Sequence, residues 1–120
     1  MTTQKEIGEK GEQLATAYLA NQGYLIKERN WYFGHNEIDI IALDGKELVI
    51  VEVKARTSDR WEHPSEAVSK QKIRHIIEAA EAYIHEFEID LETRFDVITV
   101  IFKGQEHELE HFKDAFYPTM

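Results

Sequence analysis

The period of apolar and polar positions changes several times along the chain, and each change marks an element. Ile7, Leu14, Ala15, Tyr18 and Leu19 fall mainly at helical spacing, with Thr3-Gln4-Lys5-Glu6 in the form of a capping box ahead of them and Asn21-Gln22-Gly23 as a stop. Tyr24 to Phe33 reads as a strand in which Tyr24, Leu25 and Ile26 enter the core and Lys27, Glu28 and Arg29 are more exposed. The run Trp31-Tyr32-Phe33 then meets a Gly34-His35 turn; such a cluster is core, a dimer surface, or a platform on which bases stack. Glu37 to Lys54 reads as a β-hairpin, because two runs rich in Ile and Val flank Asp44-Gly45, whose residues tolerate the positive φ of a type I′ turn. After a polar connection from Ala55 to Pro64, Ser65 is the expected N-cap of a long helix. Its apolar stripe is Val68, Ile73, Ile76, Ile77, Ala80, Tyr83, Ile84 and Phe87. Arg94 to Phe102 has the density of β-branched residues expected of a central strand. Lys103-Gly104-Gln105 turns the chain into an edge strand over Glu106 to Phe112, with Glu106, Glu108, Glu110 and Asp114 guarding that edge. The order α-β-β-β-α-β-β implies an α/β fold with a mixed central sheet flanked by helices.

With Asp44-Gly45 as the loop, Leu43 faces Lys46, Ile41 faces Leu48, Asp39 faces Ile50, Glu37 faces Glu52 and His35 faces Lys54. Alternation then gives one apolar face, Ile38, Ile40, Ala42, Val49, Val51 and Val53, which is core. The other face carries Ile41, Leu48 and Ile50 near the turn and His35, Glu37, Asp39, Glu52 and Lys54 at the open end. Like charges opposite one another destabilise a sheet, so three carboxylates there need a cation. Mg²⁺ and Mn²⁺ prefer oxygen ligands, and Mg²⁺ sites commonly combine one or two carboxylates with water and phosphate. Asp39 and Glu52 suit that role. Lys54 follows Glu52 on the same face, roughly 6–7 Å along the strand, within reach of a water or phosphate at such a metal. Glu37 is an auxiliary ligand or orients one; on this ladder it lies closer to Glu52 than Asp39 does, and a β-bulge would exchange their roles.

At 120 residues and without cysteine, the chain reads as one domain, 1–120, with 106–120 an edge strand and tail, and with no disulfide or thiolate metal site. The N-terminus has no apolar core region and no run approaches membrane-spanning length, so a cytoplasmic protein is expected. The net charge of −9 argues against an ordinary tight nucleic-acid binder. Its distribution changes the picture: residues 54–77 hold six Lys/Arg against three Asp/Glu, whereas residues 78–120 hold three against eleven. Arg56, Arg60, Lys70, Lys72 and Arg74 thus continue from the carboxylate end as a strip for a nucleic-acid backbone. The loop holding Arg56, Arg60, Trp61 and His63 leaves the carboxylate strand and is well placed to touch substrate. Gly8 and Gly11, costly in a helix, would permit close approach of another backbone or chain. Asp96 either supports the carboxylate site or ends a strand in polar surroundings. His107-Glu108-Leu109-Glu110-His111 matches H-E-x-x-H, which brings two histidines to one zinc on a helix. Behind a tight turn, with little chain left for a third ligand, it reads as a decoy.

The ordered segments GEKGEQLA, GY, NEIDIIA, VEVKAR and RFDVITV resemble the YraN family of small bacterial proteins. Asp39 with Glu52-Val53-Lys54 resembles the D…(D/E)-x-K core of the PD-(D/E)xK nuclease superfamily. One departure is Asn36, where the family usually has Gly before EID. The resemblance implies a restriction-endonuclease-like core related to Holliday-junction resolvases, and a Mg²⁺- or Mn²⁺-dependent endonuclease acting on DNA, branched or single-stranded. It implies Asp39 and Glu52 as metal ligands, the Val53 carbonyl and Glu12 completing the shell, and Lys54 orienting the attacking water. Lys72 matches a basic position of the family and is expected to contact phosphate. Resolvase kinship implies a homodimer. The alternative expectation is a nucleic-acid-binding module of the same fold whose cutting is weak, absent or partner-dependent. A third is an interaction protein whose site binds a structural cation.

Overall fold

The capping box forms: Glu6 N donates to Thr3 Oγ1 at 3.1 Å and Thr3 N donates to Glu6 Oε1 at 3.3 Å, starting helix α1 over Gln4–Asn21. The structure is a computed structural model that describes residues 2–57 and 68–118. Strands β1 (Leu25–Phe33), β2 (Asn36–Asp44) and β3 (Glu47–Thr57) follow, then α2 (Lys70–Glu86), β4 (Glu92–Lys103) and β5 (Glu106–Phe116). They form a five-stranded sheet in the order β1-β2-β3-β4-β5. Every neighbouring pair is antiparallel except β3 and β4. A parallel pair needs a crossover connection, and α2 lies in it. The fold is therefore α/β with a mixed sheet, in the expected order. Among the described residues, no helix is long and apolar enough to cross a membrane.

The helices cover opposite faces of the sheet. On one side, Ala15 and Leu19 of α1 pack with Ile40, Ala42, Val49, Val51, Ile98 and Val100. On the other, Ile76, Ala79, Ala80 and Tyr83 of α2 pack with Ile41, Leu48, Ile50 and Phe95. Near their shared turn β2 and β3 are thus buried on both faces, which is why they read as nearly continuous apolar runs. A Cβ on Gly11 would stand 2.5 Å from the Cβ of Ala55, so glycine there lets α1 lie close against β3. Gly8 has open space around it and no such role.

Several details differ from the sequence reading. Leu43 pairs with Leu48 and Asp44 with Glu47, so the hairpin loop is Gly45-Lys46, one residue later than expected. Gly45 takes φ 59° while Lys46 keeps negative φ, which suits a type II′ turn with glycine first rather than type I′. Moving the loop by one residue moves every cross-strand partner by two. Leu25 lies on an edge strand and is 59% exposed, outside the core. Helix α2 starts later than expected, with Ser69 as its N-cap accepting from Lys72 N at 3.1 Å. Ser65, Arg60, Trp61 and His63 lie outside the described residues. Phe87 caps the far end of α2 and is exposed, so the buried stripe ends at Tyr83 and Ile84. Strand β5 continues beyond Phe112 to Phe116 and forms the edge opposite β1.

Candidate functional site

The ladder between β2 and β3 runs from the turn to the pair Ile40 and Val51. Continued by one step, it brings Asp39 level with Glu52 instead of Ile50, with no bulge needed in this hairpin. The backbone ladder gives way there to a side chain: Val53 N–H donates to Asp39 Oδ2 at 2.8 Å. Strand β2 also turns over at this level. Ile40 and Ala42 pack beneath α1, yet Ile38, which shares their parity, packs beneath α2. The neighbouring position of β1 is Asn30, between the pairs Arg29 with Ile40 and Trp31 with Ile38, and its φ is 51°. Few residues accept that conformation, and Asn is among the most tolerant. The turnover carries Glu37 toward α1, where Asn30 Nδ2 donates to Glu12 Oε1 at 2.7 Å and to Glu37 Oε2 at 3.1 Å. Carboxylates from α1, β2 and β3 thereby converge.

Asp39 and Glu52 are almost wholly buried, at 5% and 8% exposure. Burial, and next the charge of Glu52, pushes the Asp39 pKa up to about 9. Burial raises the Glu52 pKa as well, against the opposing pull of Lys72, of its hydrogen bond with Asp39 and of Lys54. Two buried carboxylates this close cannot both carry charge without a proton or a cation. Glu52 Oε1 is buried with no hydrogen-bond partner, and Lys72 Nζ lies 3.7 Å from Glu52 Oε2. Lys54 is half-buried on the strand carrying Glu52. The aromatic run divides at the turnover: Trp31 packs edge-on against Tyr83, their centroids 5.1 Å apart, while Tyr32 and Phe33 are exposed.

Residues 11–100 match the family described as Uncharacterised protein family UPF0102. The chain belongs to UPF0102. It is 48% identical over 120 residues to a UPF0102 protein of Bacteroides thetaiotaomicron, covering 100% of this chain and 99% of that one. It is 50% identical over 119 residues to a UPF0102 protein of Chlorobium chlorochromatii, covering 93% and 92%. A UPF0102 protein of Flavobacterium psychrophilum is 43% identical over 117 residues, covering 98% of each chain. The UPF0102 match takes in the whole carboxylate cluster, from Glu12 on α1 to Lys72 on α2.

Of the residues singled out by sequence, Asp39, Glu52, Lys54, Glu37 and Glu12 come to one end of the sheet, and Lys72 joins them. Val53 contributes its N–H to Asp39. Among the described residues, no group of three or more His, Cys, Asp and Glu side chains is arranged to hold a metal; Glu12 and Glu37 both accept from Asn30. The donor set that fits a hard cation is the pair Asp39 and Glu52, of which Glu52 Oε1 has no hydrogen-bond partner. The expected basic strip is divided. Lys70 and Arg74 line a cleft beside Phe116, on a different flank of α2 from Lys72, and Arg56 is half-buried on β3.

Asp96 neither ends a strand nor touches the carboxylate pair. It lies inside β4 at 0% exposure. Arg94 Nε and Nη2 donate to its two oxygens at 2.9 Å each, His111 Nε2 lies 2.7 Å from Oδ2, and Asp114 N donates to Oδ1 at 2.9 Å. The H-E-x-x-H segment is strand β5, where four residues span about 13 Å, so His107 and His111 cannot share a zinc ion. His111 also meets Tyr18 Oη at 3.1 Å, while His107 is exposed. Two residues escaped the sequence reading, Asn30 and Arg94. An Asn inside an otherwise regular strand was the available signal for the first, since strands are poor in Asn.

Proposed function

We propose that the protein is a metal-dependent phosphodiesterase acting on DNA, with branched or single-stranded substrates preferred over intact duplex. The observation that carries this reading is the facing pair of buried carboxylates, Asp39 and Glu52, with one oxygen unpartnered and a lysine two residues further along the same strand. The pair would hold Mg²⁺ or Mn²⁺, which when bound would lower the pKa of a water and neutralise phosphate charge. Asp39 is oriented for this by the Val53 N–H, which fixes one carboxylate oxygen. Lys54 would orient the attacking water and stabilise the charge that develops on phosphate. Lys72, held beside Glu52, would exchange that contact for a substrate phosphate. Glu12 and Glu37, tied together through Asn30, would orient water at the rim and could turn toward the metal when it is bound.

The test is cleavage of labelled four-way-junction, flap, single-stranded and duplex DNA with Mg²⁺ or Mn²⁺, beside Asp39→Ala protein purified identically. Cleavage by wild type alone supports the reading. In Lys54→Ala protein, metal binding should persist while cleavage falls by two or more orders of magnitude, the scale of losing one preorganised transition-state contact; undiminished cleavage would remove Lys54 from the mechanism. A second reading, a nucleic-acid-binding module that does not cut, is favoured by the restraint of Glu12 and Glu37 by Asn30, which leaves two carboxylates for a metal. A retarded branched-DNA band in EDTA, with no cleavage under any metal, would select it.

A further inference from the structure

We propose that the cleft between α2 and the end of β5 binds an unpaired nucleic-acid strand, with backbone phosphate on Lys70 and Arg74 and a base stacked on Tyr117. This rests on the nucleic-acid reading above and adds where a displaced strand would go. The cleft has a volume of about 600 Å³ and is lined by Lys70, Ile73, Arg74, Ile77, Ala115, Phe116 and Tyr117, with no carboxylate among the described residues that line it. In a chain of net charge −9, this lining contrasts with the clefts at residues 84–88 and 103–108, which carry glutamates.

Three features favour an aromatic anion. Lys70 and Arg74 are four residues apart on a helix and so share one face. Both are exposed, and neither is in an ion pair among the described residues. The first turn of α2 carries Lys70 and Lys72 and no acidic residue, the reverse of the charge that a helix N-terminus prefers, so an anion there relieves an unfavourable arrangement. The floor is aromatic and fixed: Phe116 stacks on Phe95 with centroids 5.3 Å apart and planes inclined by 29°. Tyr117 beside it is 62% exposed. Exposed aromatics beside cations take up single strands, whose bases offer their faces; a duplex hides those faces in its own stack.

Binding of fluorescein-labelled oligothymidylate and of a duplex of equal length, followed by anisotropy in EDTA, tests this without cleavage or metal. Wild type should bind the single strand more tightly than the duplex. Tyr117→Ala should weaken single-strand binding about tenfold or more, and Tyr117→Phe should retain it. Lys70→Glu with Arg74→Glu should lower the slope of log affinity against log salt by about 1.4, the share of two phosphate contacts on a single strand. Because binding is read in EDTA, failure of the carboxylate site leaves this result unaffected. Equal affinity across wild type, Tyr117→Ala and the double variant would overturn the proposal, as would preference for duplex. A wild-type dimer in light scattering that the double variant abolishes would also overturn it, since a second copy would then fill the cleft. All three positions are exposed or at the rim, and melting curves matching wild type will confirm that the variants fold.

Discussion

Two places in the same sheet bury carboxylates, and they solve the problem in opposite ways. Asp96 has a partner for each oxygen: a bidentate Arg94, His111 and the Asp114 N–H. Arg94 is itself held by Asp44, Glu47 and Tyr24. Burial alone would raise the Asp96 pKa, but the hydrogen bonds from His111, Arg94 and Asp114 outweigh it and hold the carboxyl below its ordinary value. Asp39 and Glu52 have each other, one backbone N–H and lysines at the rim. Their pKa values are raised, and an oxygen of Glu52 has no partner. A completed polar network specifies a structure, whereas an incomplete one is costly unless a ligand finishes it. On that contrast the Asp96 network is framework, tying β4 and β5 to α1 and the hairpin turn, and the Asp39 end is where the proposed chemistry would lie.

The contrast breaks most visibly at Arg94. Arg94→Met leaves Asp96 buried and deprived of its main partner, and should cost about 3–5 kcal/mol in urea or thermal unfolding; a loss below about 1 kcal/mol would mean that His111 and Asp114 suffice. Next in size is the response to divalent cation. Saturating Mg²⁺ or Mn²⁺ should stabilise wild type by about 2.7 kcal/mol at a hundred times the dissociation constant. Asp39→Asn should cancel that gain, and His111→Gln should preserve it. In the absence of metal, Asp39→Asn should raise stability at pH 7. The folded carboxyl is raised to about 9 and the unfolded one titrates near its ordinary value of about 4. Folding therefore takes up a proton across that window, and stability declines as pH rises through it. The amide mimics the protonated form and removes the penalty. A lower melting temperature for the metal-free variant would contradict this account. The smallest effect is in acid. Because the folded Asp96 pKa is lowered, its contribution is fully present above about pH 4 and is lost as pH falls through the folded value. Asp96→Asn should accordingly flatten the acid limb of the stability curve, measured between about pH 2 and 5.

Much of this was legible in the sequence because it depends on local chemistry. Thr3 and Glu6 state their own capping box; Asn21-Gln22-Gly23 ends a helix; the apolar runs of β2 and β3 announce strands buried on both sides. Asp39, Glu52 and Lys54 stood out because charge at the end of such runs has no local explanation. UPF0102 membership agrees with the ordered segments that resembled the YraN family.

Where each carboxylate lies required the assembled sheet. Asp-Gly chemistry permits a hairpin loop at Asp44-Gly45 or, with glycine first, at Gly45-Lys46, and these differ by two residues in every cross-strand partner. Packing of Leu48 and Ile50 beneath α2 suits either choice, because both keep the same parity. Asn30 is an unusual strand residue in the sequence, but only the structure shows its positive φ and its bonds to Glu12 and Glu37. Arg94 and Asp96 look like a strand's polar start until Asp44, Glu47, Tyr24, His111 and Asp114 converge on them from four other segments. The sequence by itself determined which segments are helix and strand and which carboxylates needed explaining, since those follow from periodicity and near neighbours. Only the tertiary structure decided which carboxylates are satisfied and which are not, because the deciding partners lie far apart along the chain, Arg94 50 residues from Asp44, and meet only when strands and helices assemble.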